Sequence, residues 1–219
     1  GGGGKTLGLA AQLFPSPLAG EGGSRSETDE GYEDADGVGP KVLASKTEFH
    51  PSSGPPGHLL PQGEKGRLVA SDVVAKRLDN IRPRLARAGV EAELRLLGHD
   101  GEGMDDLAGA ADVVFVDAPC SGSGTWRRRP EDAWRLTEDE VARLHGLQVA
   151  ILGRAARLVK PGGRLVYVTC SMLTAENEAS ADAFEAGHPE FAPIGPRLRL
   201  SPASTNTDGF FAAVYERGA

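Results

Sequence analysis

Apolar runs of strand length alternate with helix-length amphipathic segments from residue 66 to the end of the sequence. The strand-like runs are GRLVASD, which ends at Asp72, then EAELRLL, DVVFVD, RLVYVT and GFFAAVYER. The helix-like segments are VVAKRLDNIRPRLARAG, which Gly89 closes, a segment from the capping box Thr137–Glu140 to Lys160, and TAENEASADAFEAG. Strands that alternate with helices predict an α/β fold with a mainly parallel sheet.

Residues 13–65 lack sustained periodicity and are rich in proline, glycine, serine and acidic residues. Such a composition buries too little apolar surface to offset the entropy of ordering, about 1–2 kcal/mol per residue for the backbone. We therefore predict a disordered low-complexity insertion at 13–65, between the start of a domain at 1–12 and its remainder at 66–219. Deletion of residues 14–64 is expected to leave the melting temperature unchanged or to raise it.

The formal net charge of −7 over 219 residues argues against a nucleic-acid partner, but its distribution weakens the objection. Residues 13–66 hold nine acidic and four basic side chains, a net of −5, so the remainder carries −2. That remainder contains the cluster Arg127, Arg128 and Arg129, and local potential matters most for binding a phosphate backbone. A nucleic-acid partner is therefore compatible with the composition.

No stretch approaches the roughly 18 consecutive apolar residues of a membrane span. A basic segment followed by an apolar stretch, typical of a signal peptide, is also missing. The chain has two cysteines, Cys120 and Cys170, and such a cysteine-poor chain is expected to be reduced and cytoplasmic. The five histidines show no metal-ligand spacing, so we assign no metal.

Candidate functional residues lie where ligands bind in parallel sheets, at the carboxyl ends of strands. Asp72, Asp117 and Cys170 end strand-like runs, and Asp100 and Cys120 lie in the loops just after such runs. One helical segment joins DVVFVD to RLVYVT, which predicts parallel neighbours about 4.8 Å apart. We therefore expect both thiols at one rim of the sheet, near Asp117.

Four motifs resemble those of the RsmB/Sun (Fmu) family of S-adenosylmethionine-dependent RNA cytosine-5 methyltransferases. They are GGGGKT, DAPCSGSGTWRRRP, LVYVTCSMLTAENE and TDGFFAAVYER, and the resemblance covers residues 1–12 and 66–219. It implies a Rossmann-like class I methyltransferase fold. The family's strand before the glycine loop is missing from this sequence, so we expect a gap or a direct closure between the strands ending at Asp72 and Asp117. Weak cofactor binding and marginal stability would follow.

The resemblance also implies the roles of three catalytic residues. Cys170 corresponds to the nucleophile that adds to cytosine C6, and Cys120 to the cysteine that assists release of the methylated product. Asp117 would hydrogen-bond the cytosine edge and stabilise the charge that develops after attack. Because the thiolate must attack, we expect basic groups or a helix N-terminus near Cys170.

The implied cofactor site uses backbone and acidic groups at the same sheet edge. Glycines would allow close backbone approach, Lys5 would meet the cofactor carboxylate, and Asp72 and Asp100 would face the ribose and the adenine. The complete set is Gly1, Gly2, Gly3, Gly4, Lys5, Asp72, Asp100 and Asp117. Ordinary cap or turn aspartates remain the alternative for Asp72 and Asp100.

The expected substrate is RNA, with 16S rRNA first and transfer RNA second, and the protein is expected to be a monomer that does not associate with a membrane. Arg127, Arg128 and Arg129 are candidate contacts to RNA phosphates, or else a solvated basic turn. Trp126 could stack on a base or merely cover the loop.

Two other functions are compatible with parts of the sequence. GGGGKT could be the tail of a P-loop, with VVFVD as the acidic strand that helps to bind magnesium, but that interpretation leaves both cysteine motifs without a role. The chain could also be a truncated remnant that binds RNA without catalysis.

Overall fold

The computed structural model describes residues 41–46, 66–98 and 101–219, and for residues 41–46 it describes the backbone alone. The strands are β1 (Lys41–Lys46), β2 (Arg67–Asp72), β3 (Glu93–Leu96), β4 (Ala111–Asp117), β5 (Val159–Thr169), β6 (Phe191–Pro193), β7 (Leu198–Leu200) and β8 (Phe210–Arg217). The helices are α1 (Ala75–Ala88), α2 (Pro130–Arg135), α3 (Glu138–Ala156), α4 (Glu178–Gly187) and α5 (Pro202–Thr205), with 3-10 turns at Asp105–Leu107 and Ser123–Thr125.

The described strands form one mixed sheet in the order β3-β2-β1-β4-β5-β8-β6, with β7 also paired to β8. The pairs β2–β3 and β4–β5 are parallel. Within this sheet β1 and β8 run opposite to all the other strands. The α/β architecture and the parallel neighbours β4 and β5 are therefore as the sequence predicts.

The strand β1 lies inside the segment for which the composition predicts disorder, and at these six residues that prediction is wrong. β1 pairs antiparallel with both β2 and β4, with Leu43 opposite Ala70 on one side and Phe115 on the other. It occupies the place where we expected a gap or a direct closure between β2 and β4. The physical reason is that unpaired backbone groups on two inner strand edges would each cost about 1–3 kcal/mol. The rest of the 13–65 segment lies outside the described residues.

The predicted helix ends are correct for α1 and incorrect for α3. Gly89 follows α1 in the left-handed conformation, with φ of 61°, and its N–H donates to the carbonyl oxygen of Ala86. The helix α3 begins after Thr137, whose Oγ1 accepts from the N–H of Glu140 at 3.2 Å. It ends at Ala156 and not at Lys160, because β5 already begins at Val159 and pairs there with β4.

Two clusters of buried apolar side chains hold the elements together. The main cluster joins β4, β5 and β8 to α3 and α4, and includes the fully buried residues Val114, Val116, Ile151, Leu152 and Leu165. The second cluster has two buried residues, Leu68 of β2 and Leu85 of α1, with partly buried neighbours. None of the helices in the described ranges has the length and apolar character to cross a membrane.

Candidate active site

The two cysteines meet at the carboxyl ends of β4 and β5. Their Sγ atoms are 3.4 Å apart, and both are free thiols. The parallel pairing of β4 with β5 continues past Asp117, where the N–H of Ala118 donates to the carbonyl oxygen of Val168 at 3.0 Å. The prediction that both thiols lie at one rim is confirmed.

The contact between the thiols makes them chemically unequal. Hydrogen bonding from the Cys120 thiol lowers the pKa of Cys170, although burial opposes this. The same hydrogen bond, together with burial, raises the pKa of Cys120. We expected a basic group or a helix N-terminus near Cys170. In the described part of the chain the largest effect that lowers the pKa of Cys170 comes instead from the neighbouring thiol of Cys120.

The loop after Cys120 is fastened to the segment around Cys170 and to the start of β8. The N–H of Gly124 donates to the carbonyl oxygen of Cys170 at 2.9 Å, and the N–H of Gly209 donates to the carbonyl oxygen of Gly124 at 2.9 Å. A Cβ on Gly124 would overlap the carbonyl oxygen of Gly209. Glycine at position 124 therefore permits a close approach of two backbones beside the thiols.

A buried carboxylate that the sequence analysis missed lies behind the thiols. Glu176 is fully buried in the turn before α4. Its oxygens accept from the N–H of Ser121 at 2.7 Å, from Ser121 Oγ at 2.5 Å, from Gln148 Nε2 at 3.2 Å and from Ser171 Oγ. The signal in the sequence is that each cysteine is followed directly by a serine, as Cys120-Ser121 and Cys170-Ser171.

A second buried polar side chain, Asn177, fixes the segment that carries Cys170. Its Oδ1 accepts from Thr169 Oγ1 at 2.6 Å, and its Nδ2 donates to the carbonyl oxygen of Ser171 at 2.9 Å. The hydroxyl of Tyr167 donates to the carbonyl oxygen of Glu176 at 2.6 Å. The residues on both sides of Cys170, Thr169 and Ser171, are thus held by hydrogen bonds to buried Asn177.

The two described acids of the predicted site lie on different strands. Asp117 ends β4 and is half-buried, and Asp72 ends β2 and is buried. Asp72 Oδ1 accepts from the N–H of Val74 at 2.9 Å and lies 3.7 Å from Arg77 Nη1, so Asp72 does serve as a turn residue before α1. Because β1 separates β2 from β4, the two strand ends lie about 10 Å apart. Gly1, Gly2, Gly3, Gly4, Lys5 and Asp100 lie outside the described residues.

Comparison with known proteins decides the family. The family model described as "16S rRNA methyltransferase RsmB/F" matches residues 56–216, most of the chain. The chain belongs to the RsmB/F family. This family consists of S-adenosylmethionine-dependent methyltransferases, so the nucleotidase alternative is set aside.

Individual relatives and solved structures agree with the RsmB/F assignment. The chain is 37% identical over 164 residues to the ribosomal RNA small subunit methyltransferase B of Sodalis glossinidius, and 32% identical over 171 residues to that of Xanthomonas campestris pv. campestris. These alignments cover 71% and 72% of this chain but 37% and 39% of the relatives. The chain therefore spans less than two fifths of their length.

Two crystal structures show the same Rossmann-like methyltransferase fold. PH0851 matches with a TM-score of 0.65 and 36% identity, over 70% of this chain and 37% of that one. NSun6 from Pyrococcus horikoshii, solved with SFG, matches with a TM-score of 0.60 and 26% identity, over 71% of this chain and 42% of that one. The strand ends that carry the thiols belong to this shared fold.

The basic turn of this RsmB/F chain, residues 127–129, is partly neutralised by the carboxylate of Asp208. Arg128 Nη2 lies 2.5 Å from Asp208 Oδ2, and Arg127 Nη2 lies 3.6 Å from Asp208 Oδ1. The two guanidinium side chains are nevertheless 61% and 74% exposed, and Arg129 is also exposed. Trp126 is half-buried, whereas Trp134 of α2 is 90% exposed, which the sequence analysis did not single out.

Proposed function

We propose that this chain is the catalytic part of an enzyme that methylates C5 of a cytosine in 16S rRNA, with S-adenosylmethionine as the methyl donor. The observation that carries the proposal is the pair of thiols 3.4 Å apart at the ends of adjacent parallel strands. The names of the relatives support ribosomal RNA as the substrate class. Transfer RNA is the second candidate.

The proposed chemistry needs an attacking thiolate because cytosine C5 is by itself a poor nucleophile. Attack of the Cys170 thiolate forms a bond to C6 and moves an electron pair towards C5, which can then accept the methyl group. A base then takes the proton from C5, the electron pair of that C–H bond re-forms the C5–C6 double bond, and the C6–S bond breaks with its electron pair returning to Cys170. Cys120, in contact with Cys170, assists this release. The lowered pKa of Cys170, caused by the hydrogen bond from Cys120, supports its role as the attacking thiolate.

The described acids fit their proposed partners. Asp117 ends β4, three residues before Cys120, and would hydrogen-bond the cytosine edge and stabilise developing charge. Asp72 presents a buried carboxylate at the end of β2, and a carboxylate is a suitable acceptor for the ribose hydroxyls. S-adenosylmethionine supplies an electrophilic methyl group when bound. Lys5, Asp100 and the four N-terminal glycines complete the proposed cofactor site.

The proposed RNA contacts are Arg127, Arg128 and Arg129, which follow the Cys120 loop directly. Their exposure suits phosphate contacts, which position the RNA without reading its sequence. Asp208 holds two of the three guanidinium groups beside the loop. The arginines would thereby place the backbone of the RNA near the thiols.

Methyl transfer from labelled S-adenosylmethionine to total RNA tests the proposal, with the chain as given compared to a version extended upstream. Cys170→Ala should abolish incorporation, whereas Cys120→Ala should accumulate a protein–RNA adduct that survives denaturation. Normal turnover by Cys170→Ala would contradict the assigned chemistry. RNA binding without methylation by either version would favour the non-catalytic alternative. The distribution of 5-methylcytosine between ribosomal and transfer RNA identifies the substrate.

A further inference from the structure

The two thiol segments share one buried anchor. Ser121, next to Cys120, and Ser171, next to Cys170, both donate their hydroxyls to the same oxygen of Glu176. The other oxygen of Glu176 accepts from the backbone N–H of Ser121 and from Gln148 Nε2 of α3. Glu176 therefore contacts the loop of one cysteine, the segment of the other and a helix of the main core.

The Glu176 anchor resists movement because a buried carboxylate needs a hydrogen-bond donor at each of its oxygens. A carboxylate has acceptors only, and burial is tolerable when donors satisfy them. Displacement of either serine would leave a fully buried oxygen of Glu176 short of donors. Hydrogen bonds to a charged group are also roughly twice as strong as neutral ones. Movement of one thiol loop relative to the other is therefore resisted at Glu176.

Glu176 does not activate the thiols. Its negative charge raises the pKa of both Cys120 and Cys170, as the charge of Asp117 does for Cys170. The other titratable groups around it are Tyr167, whose hydroxyl donates to the Glu176 carbonyl oxygen, and His145, which reaches Gln148 through Ser180. Since the charge of Glu176 disfavours the thiolate, the contribution of Glu176 to the site is to hold the two cysteine segments in place.

We propose that Glu176 is a positioning residue that fixes the distance and orientation between the Cys120 and Cys170 thiols. Its consequence for methyl transfer rests on the proposed function, whereas its effect on the thiols can be measured without RNA or cofactor. The proposal predicts that the thiols lose their mutual contact when the anchor is altered, although the hydrogen bonds of Glu176 run to the serines beside the cysteines.

A trivalent arsenical measures the spacing of the thiols directly. Phenylarsine oxide condenses with two neighbouring thiols, forming two As–S bonds and releasing one water, so tight binding requires both sulfurs together. The whole chain should bind one equivalent under reducing conditions and lose both reactive thiols. Glu176→Gln, which presents a donor where an acceptor is needed, should weaken binding about tenfold. Glu178→Gln, two residues away and paired with the exposed Arg199, is the matched control and should bind normally.

The pH dependence of alkylation separates charge from general loosening. Two effects oppose each other in Glu176→Gln: loss of the contact with Cys120 raises the pKa of Cys170, and loss of the Glu176 charge lowers it, so its alkylation profile should shift less than that of Glu176→Asp. Glu176→Asp keeps the charge but withdraws both oxygens by one methylene. It should weaken arsenical binding and move the alkylation profile of Cys170 to higher pH, because the hydrogen bond from Cys120 that lowers this pKa is lost while the charge at position 176 stays. Peptide mass spectrometry identifies which cysteine is alkylated.

Arsenical binding at the original affinity in both Glu176 variants would overturn the proposal. If circular dichroism shows that Glu176→Gln does not fold, Glu176→Asp alone decides, by the same binding measurement. A chain that gives the expected thiol results but never methylates RNA would refute the proposed function and leave the positioning role intact.

Discussion

The half of the sheet that carries the thiols differs from the half that carries Asp72 in how each is held. The strands β4 and β5 pair directly, and with β8 they pack on α3 and α4 through the main core. The strands β2 and β3 pack with α1 largely through a cluster of two buried leucines. Within the sheet they are joined to β4 through the short antiparallel strand β1, and Val69 of β2 also packs in the main core.

The helix α3 in the thiol half and the helix α1 in the Asp72 half differ in the same direction. In α3, Thr137 caps the first turn and three acidic side chains follow it, at positions 138–140. In α1, Val74 precedes the first turn without a capping side chain, no acidic residue lies in that turn, and Pro83 interrupts the interior. Because acidic groups stabilise helix N-termini and proline removes a hydrogen bond, α1 depends more on its surroundings.

The two proposed tasks, thiol chemistry and cofactor binding, therefore depend on parts of the sheet that are held with unequal stability. The thiol geometry is built from adjacent strands and a satisfied buried network, so it should persist when the other half loosens. The placement of Asp72 relative to Asp117 depends on β1. Cofactor binding should therefore fail before thiol chemistry does.

Disruption of β1 should produce the largest difference in stability between the Asp72 half and the thiol half of the sheet. Leu43→Pro removes a backbone donor from a strand paired on both sides, and each buried group left unpaired costs about 1–3 kcal/mol. Hydrogen exchange of β2 and β3 should accelerate strongly, while that of β5 should change little. The control is Ser52→Pro, in the low-complexity segment and outside the described residues. Equal acceleration in β2 and β5 would show that the sheet opens as one unit and that the halves do not differ.

The position of β1 also reverses the expectation for deletion of residues 14–64. That deletion removes β1, and so it should lower the melting temperature.

Truncation of buried leucines compares the two cores directly. Leu152→Ala, at a fully buried site of the main core, should cost about 4–5 kcal/mol, near the upper end for such changes. Leu85→Ala, in the two-leucine cluster, should cost about 2–3 kcal/mol because its surroundings collapse more easily. Urea unfolding measures both losses.

The two tryptophans give that experiment a local probe. Trp126 and Trp134 both follow β4, so their fluorescence reports the thiol half, whereas far-UV circular dichroism reports all the helices and strands. In Leu85→Ala the dichroism transition should precede the fluorescence transition. Coincident transitions in every variant would mean two-state unfolding and no separate halves.

Removal of the Cys120 thiol should weaken the chemistry without loosening the thiol half. The hydrogen bond from Cys120 lowers the pKa of Cys170, so Cys120→Ala should raise that pKa. Because only the thiolate alkylates, the reaction of Cys170 with iodoacetamide should then require a higher pH. Rate against pH, followed by peptide mass spectrometry, checks this. An unchanged profile would show that the acidity of Cys170 has another source.

The smallest expected effects are at the two helix starts. Thr137→Ala removes the cap of α3 and should cost about 1 kcal/mol in unfolding free energy. Val74→Thr offers α1 a cap that it lacks and should stabilise it by somewhat less than that amount. Thermal unfolding of both variants tests the signs. If Thr137→Ala costs no stability and Val74→Thr adds none, the helix starts do not contribute to the difference between the halves.

The sequence by itself determined the alternation of strands and helices and the meeting of the two thiols. Both follow from local information, since strand runs have their own periodicity and one crossover helix makes β4 and β5 parallel neighbours. Asp72 and Asp117 could be placed at strand ends for the same reason. The end of α3 was misplaced because the residues after Ala156 suit a helix locally and the pairing of Val159 with Ala111 is not local.

Only the tertiary structure decided which groups surround the thiols and what joins the two halves. Ser121 and Glu176 are 55 positions apart, and no periodicity relates a carboxylate to donors at such a distance. Likewise, the hydrophobic pattern of the six residues of β1 is too short to predict a strand within a segment whose composition is typical of disorder. Their place is set by the unpaired backbone edges of β2 and β4, which exist only once both strands have folded.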